Sequence, residues 1–248
     1  MNKDEILKKM ELLILMHKRG LLGGEYMPED SNPSLDRNSK ENFLYFTLPM
    51  ALNYQRNSYK LWESVLKTYN DEETRNVFFP HDVVNMDIDI LKEKLTKYKV
   101  ALQPNKQTEI WYVLCKTFVK YFNNDPLALL KNNNFDILKI KNFININKKM
   151  FPYLSGTKIC NYWLYVLEQY TNFKFTNRSE ISVAPDTHVI QASLKLGLIN
   201  EDEYSLSNNA ILVAEKWKEL LKNTKYDPID IHTPLWLWSR GGFKEVDW

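Results

Sequence analysis

Apolar side chains recur at helical spacing along almost the whole chain, which leaves little sequence for a sheet. Residues 5–18 carry Ile6, Leu7, Met10, Leu13, Ile14 and His17 at i, i+3, i+4 intervals. Residues 106–123 repeat the pattern through Ile110, Trp111, Leu114, Phe118, Val119 and Phe122, and the run after residue 158 does so through Ile159, Tyr162, Trp163, Val166, Leu167 and Tyr170. Residues 43–69 predict one or two helices broken or started near Pro49. Further helices are expected over 87–98, 187–198 and 208–223, with a short element after Pro80. Asp125-Pro126 pairs a capping residue with a favourable first helical residue. Ile181-Ser182-Val183 is the best strand signal, and it has no obvious partner. The expectation is an all-α protein of about ten helices, without internal repeats or a low-complexity linker.

At 248 residues the chain is long enough for one large domain or two lobes. Its net charge of +2 neither requires nor excludes nucleic acid, so any DNA-binding face must concentrate its lysines locally. Cys115 and Cys160 both fall in apolar helical patterns, which predicts buried thiols in a reducing compartment. Two cysteines and four scattered histidines provide neither an iron–sulfur cluster nor a zinc spacing, so no metal or organic cofactor is expected. No apolar run has membrane length, and the expected location is the cytoplasm, in association with the nucleoid. The polar stretch 23–42, with Pro28 and Pro33, reads as a loop.

Against this background two short contexts carry chemistry. Leu154-Ser155-Gly156-Thr157-Lys158 is a turn running straight into an apolar helix. Backbone N–H groups at such a junction can hold a phosphate, which positions a strand without reading its bases. A lysine in the first helical turn feels the positive end of the helix dipole, and packing against Tyr162 or Trp163 would add desolvation. Both effects favour the neutral, nucleophilic amine. Taken alone, Lys158 is better read as a surface lysine after a turn glycine. Val183-Ala184-Pro185-Asp186-Thr187-His188-Val189 opens a second helix, with Asp186 placed 28 positions after Lys158. Asp186 reads as a helix N-cap. A capping carboxylate is also suited to stabilise an oxocarbenium-like sugar or to assist an attacking amine.

Gly156-Thr157-Lys158 at a helix start, then Pro185-Asp186-Thr187-His188-Val189 and Leu196-Gly197-Leu198 in the next major helix, resemble the helix-hairpin-helix DNA glycosylase superfamily. The resemblance covers roughly residues 150–198, with weaker similarity upstream from about residue 43. It implies a two-lobed helical fold with the active site in the cleft between lobes. The lobes implied are about 43–150 for the central one, and 1–42 with 151–248 for the second. Lys158 matches the nucleophile that attacks the sugar C1′, Asp186 the assisting carboxylate and Gly156 the hairpin glycine. Thr157 matches the Gly-Thr-Lys of eukaryotic-type 8-oxoguanine enzymes. Leu154 departs from the family's usual first hairpin glycine, a change expected to alter phosphate binding. The Lys–Asp connection is lengthened by Glu168–Ile181, as in the archaeal 8-oxoguanine branch, which also lacks a cluster; the cysteines of the endonuclease III-like branch are absent.

The resemblance implies base-excision repair of damaged double-stranded DNA, with 8-oxoguanine as the expected lesion, by a monomer acting through a lysine Schiff base and β-elimination. Ser155, Gly156, Thr157 and His188 are expected near the DNA backbone. Gln55 is expected to fill the gap left by a flipped base, with Arg56 on the orphan base or a phosphate. Trp236, Trp238 and Phe243 are candidates for the base pocket, and Arg240 for a phosphate contact. Trp236 and Trp238 are two apart and cannot share one helix face, so one packs in the core while the other is free for a pocket. No role is assigned to Trp248. Two other classes fit the same residues: a non-catalytic nucleic-acid-binding protein on this scaffold, and a hydrolytic glycosidase acting through Asp186 on a modified nucleoside or RNA.

Overall fold

The computed structural model describes residues 2–22 and 27–246, and within them the protein is all-α: thirteen α-helices and no strand. Trp248 and the first part of the polar loop, residues 23–26, lie outside the described residues. The helices are α1 (Lys3–Lys18), α2 (Lys40–Thr47), α3 (Ser58–Asn70), α4 (Pro80–Val84), α5 (Ile88–Lys97), α6 (Pro104–Tyr121), α7 (Pro126–Asn132), α8 (Ile137–Ile146), α9 (Thr157–Tyr170), α10 (Thr187–Leu196), α11 (Glu201–Tyr204), α12 (Asn209–Leu221) and α13 (His232–Arg240). The count exceeds the expected ten because short helices form where local capping suffices. In α11, Asn200 accepts from Glu203 N–H while Glu203 accepts from Asn200 N–H. Pro49 ends α2 and opens a 3-10 turn, Pro49–Leu52, as the missing N–H requires. Ile181–Val183 forms no strand; a single bridge between Asp136 and Thr176 occurs instead.

The chain divides into two compact units, Met1–Tyr26 with Arg178–Trp248, and Met27–Asn177. The first contains α1 and α10–α13. Met10, Leu13, Val189, Ala192, Leu196, Val213 and Leu235 are buried in it, and Trp217 is fully buried with its indole donating to Ser193 Oγ at 2.9 Å. Helix α10 ends at Gly197, whose φ of 78° is one that a side chain disfavours; Leu198 N–H then returns to Ser193 O at 2.9 Å.

The second unit contains α2–α9 around an aromatic core of Phe43, Tyr45, Phe46, Trp62, Phe78, Trp111, Phe118 and Trp163. Each ring of this size contributes about 2–3 kcal/mol on burial, and the indoles find partners: Trp111 donates to Val77 O and Trp163 to Thr47 Oγ1. These contacts place the unit boundary away from the expected one. Residues 151–177, expected with the C-terminal helices, belong with α2: Phe46 stacks on Tyr170 at 4.7 Å, and Asn42 Nδ2 donates to Tyr170 O at 2.9 Å. Residues 27–42 join the same unit, where Tyr45 donates to Ser31 O at 3.0 Å. Lys158 and Asp186 therefore sit in different units.

Candidate active site

Helix α9 begins after a ten-residue connection, 147–156, in which Phe151 and Leu154 are fully buried anchors. The turn closes through Ser155 N–H to Phe151 O at 2.9 Å and Gly156 N–H to Tyr153 O at 3.0 Å, with Tyr153 at φ 58°. A Cβ on Gly156 would stand 3.1 Å from Tyr153 O, which is why this position favours glycine although its φ of −65° does not. Leu154, where the family places glycine, is here a core residue.

Gly156 is the N-cap of α9 and has no side chain to satisfy the first-turn donors. The N–H groups of Thr157, Lys158 and Ile159 consequently present a positive helix end. Ser155 is half-buried, while Gly156, Thr157 and Lys158 are exposed. No hydrogen bond or ion pair within the described residues restrains the Lys158 ammonium. The desolvation expected from aromatic packing is absent. Trp163 turns into the core toward Thr47, and Tyr162, though half-buried, leaves the lysine exposed. From Ile137 to Leu167 the chain carries five lysines and no carboxylate, so the small net charge conceals a cationic stretch centred on this turn. Lys139, Lys148, Lys149 and Lys158 are all exposed.

Tyr162 lies one turn beyond Lys158 on the same face of α9, about 6 Å along the axis. It donates to Glu29 Oε2 at 3.0 Å. Glu29 sits in the 3-10 turn Pro28–Asp30 and is 1% exposed. Burial pushes its carboxyl up to about 7, against the opposing effects of its own backbone, Tyr162 and Trp62. Glu29 Oε1 and the Trp62 Nε1 donor are both buried and fall short of an ideal hydrogen bond, although the indole is near enough to act on that carboxyl. Trp62 is fully buried, so this carboxyl and this indole lie together inside the aromatic core of the unit. Sequence reasoning missed Glu29 and Trp62. One stood in a polar loop and the other in an ordinary amphipathic stripe.

In the other unit, Asp186 caps α10: Oδ1 accepts from Val189 N–H at 3.0 Å and Oδ2 from the Trp236 indole at 3.0 Å. His188 packs edge-on to Trp236 at 5.8 Å, and its Nδ1 lies 3.2 Å from Ser239 Oγ. The Arg240 guanidinium sits over the Trp236 ring at 5.1 Å and remains exposed. Asp186, His188, Trp236 and Arg240 thus form one cluster.

Three expected positions resolve differently. Trp238 is core, 2% exposed, with its indole donating to Lys244 O and Phe243 edge-on at 4.9 Å. Phe243 is half-buried, with the Lys195 ammonium 5.5 Å from its ring centroid. Arg56 spends its guanidinium on the fold, donating to Val100 O at 2.6 Å and Lys99 O at 3.1 Å, and burial lowers it to about 10. Gln55 is exposed at φ 50° and lines a polar depression of about 160 Å³ with Tyr54, Lys106 and Tyr153. That depression adjoins the α9 turn through Tyr153.

Among the described residues no group of His, Cys, Asp and Glu is placed to hold a metal ion, and no helix is long and apolar enough to cross a membrane. Cys115 and Cys160 are buried free thiols, the latter pushed up to about 12 by burial. No protein-family model matches the chain, and no curated protein sequence does.

Proposed function

We propose that the protein is a DNA N-glycosylase with lyase activity, of the two-lobed helix-hairpin-helix type, acting on an oxidised base with 8-oxoguanine as the expected lesion. The observation that carries this reading is on α9. An exposed amine stands in the first turn of an uncapped helix, within a stretch of the chain that carries five lysines and no carboxylate. A flipped nucleotide needs that combination: a cationic helix end for its phosphate and a nucleophile for its sugar.

In this mechanism the Lys158 amine attacks C1′, the C1′–N bond breaks and the base leaves with the bonding pair. Loss of a proton from the alkylated amine and ring opening give the Schiff base; removal of a C2′ proton then expels the 3′ phosphate by β-elimination. Asp186 is assigned the assisting carboxylate, which stabilises the developing positive charge and takes part in proton transfer. The substrate is damaged double-stranded DNA, and the cationic stretch 137–167 supplies salt-dependent affinity for it.

Borohydride reduction tests the reading. Wild-type protein should be trapped covalently on duplexes containing 8-oxoguanine or an abasic site, and Lys158→Gln should lose trapping on both. Neither trapping nor strand cleavage by wild type on any damaged duplex would overturn it. Base release without trapping would assign a hydrolytic reaction led by Asp186.

A further inference from the structure

The polar depression of about 160 Å³ beside the α9 turn draws on separate stretches of one unit: the bend 54–56, the start of α6 and Tyr153. Two tyrosines form its aromatic part. Tyr54 and Tyr153 lie with ring centroids 5.3 Å apart at 43°, and Tyr54 remains 49% exposed. The Lys106 ammonium, on an exposed side chain, stands 5.2 Å from the Tyr153 ring centroid. Gln55 and Gln103 are exposed, and no hydrogen bond within the described residues engages either side-chain amide. Arg56 and Lys106 bring positive charge, and no carboxylate lines the depression.

This shape is held in place by the fold. Gln55 and Tyr153 both have a left-handed backbone, φ 50° and 58°, which side chains of this size disfavour. Arg56 pins the bend through its two bonds to the carbonyls of Val100 and Lys99. Gln107 Oε1 accepts from the backbone N–H groups of Leu102 and Gln103, which fixes the entry to α6. The tyrosines and the lysine are therefore positioned before any ligand arrives.

A volume of about 160 Å³ lies below the roughly 300–1,000 Å³ of sites that enclose a whole small-molecule ligand. It suits one flat group. A tyrosine face selects an aromatic ring, amides that both donate and accept match the edge of a nucleobase, and a lysine answers a phosphate. Tyr153 also joins the depression to the cationic stretch 137–167. In a duplex each base is already stacked and paired, whereas an unpaired base has a face and an edge to offer.

We propose that Tyr54, Tyr153 and Lys106 form a shelf for an unpaired base of single-stranded DNA. The base stacks on Tyr54, the amides of Gln55 and Gln103 meet its edge, and Lys106 takes the adjoining phosphate. This activity goes beyond the repair of duplex DNA and requires no reaction at Lys158.

The test is fluorescence anisotropy of the full chain on a short labelled oligothymidylate. Tyr54→Ala should weaken binding to this strand roughly tenfold, and Tyr54→Phe should retain it, because the ring and not the hydroxyl does the stacking. Lys106→Gln should lower the slope of log affinity against log salt by about 0.7, as for one phosphate of a single strand. Binding of Tyr54→Ala to a blunt duplex of the same length should stay within about twofold of wild type. A strand of propanediol phosphodiesters, which keeps the phosphates and carries no base or sugar, should bind wild type as weakly as oligothymidylate binds Tyr54→Ala. That comparison uses wild type alone and does not depend on a variant folding. Equal affinity of wild type for the two strands, or of wild type and Tyr54→Ala for oligothymidylate, overturns the proposal. Borohydride trapping through Lys158 is read separately, so failure of the shelf and failure of the glycosylase reading are distinguishable.

Discussion

Trp236 donates its indole N–H to Asp186 Oδ2 at 3.0 Å while the other carboxylate oxygen caps α10 at Val189 N–H. Both oxygens are held, one by the helix and one by a side chain 50 positions away, so structural and chemical roles are separable by substitution. Asp186→Asn keeps an oxygen for the cap and should leave unfolding within about 1 kcal/mol of wild type, while single-turnover base excision falls by two orders of magnitude or more. Trp236→Phe should lower excision about tenfold by releasing Oδ2. Equal excision by wild type and Asp186→Asn would remove Asp186 from the reaction.

Arg56 makes its contacts within the protein. Its two hydrogen bonds tie the bend at 54–56 to the carbonyls of Lys99 and Val100, and Lys99 itself lies at φ 64°. Arg56→Ala should destabilise the protein by about 2 kcal/mol in urea unfolding, since two charge-assisted bonds are lost and two carbonyls released. The slope of log affinity against log salt for duplex DNA should not change. A slope reduced by about one would instead return Arg56 to a phosphate contact.

The contrast between Arg56 and Asp186 shows what a sequence can transmit. Asp186 was legible because a cap is local: the acceptor lies three residues from its donor, and Pro185 precedes it. The all-α class was legible for the same reason, as was the break at Pro49. Arg56 was not, because its partners lie more than 40 positions away and nothing near residue 56 announces them. Glu29 was hidden similarly. Its burial depends on Trp62 and Tyr162, the latter 133 positions distant, and a lone Glu after a Pro looks like any loop residue. The unit boundary failed on long-range packing too, since Phe46–Tyr170 and Trp163–Thr47 decide where 151–177 belongs.

Gly156 is constrained by space, not by its backbone angle. A methyl group there meets Tyr153 O at 3.1 Å, in a turn whose other carbonyls are already fixed. Gly156→Ala should cost about 1 kcal/mol, and its larger effect should fall on DNA affinity, because displacing Tyr153 disturbs the first-turn N–H groups of α9. The expected result is several-fold weaker binding to an abasic duplex with little loss in melting temperature. Unchanged affinity would detach the α9 N-terminus from the phosphate.

Glu29 ties stability to pH in a direction opposite to most carboxylates. Its carboxyl titrates at about 7 in the folded protein against an ordinary value of 4.5, because burial disfavours the ionised form. Below 4.5 both states hold the proton and the folded state carries no penalty. Between 4.5 and 7 the unfolded chain releases the proton while the folded one keeps it, so stability falls by roughly 1.4 kcal/mol per pH unit. Above 7 the loss is complete, at about 3 kcal/mol. Glu29→Gln does not titrate and should remove this component. Relative to that variant, wild type should lose about 2–3 kcal/mol between pH 5 and pH 8, measured by urea unfolding of both proteins at each pH. The comparison cancels every other titrating group. If the difference between the two proteins is the same at both pH values, Glu29 is ionised throughout, and its carboxylate must be held by a partner that meets Oε1.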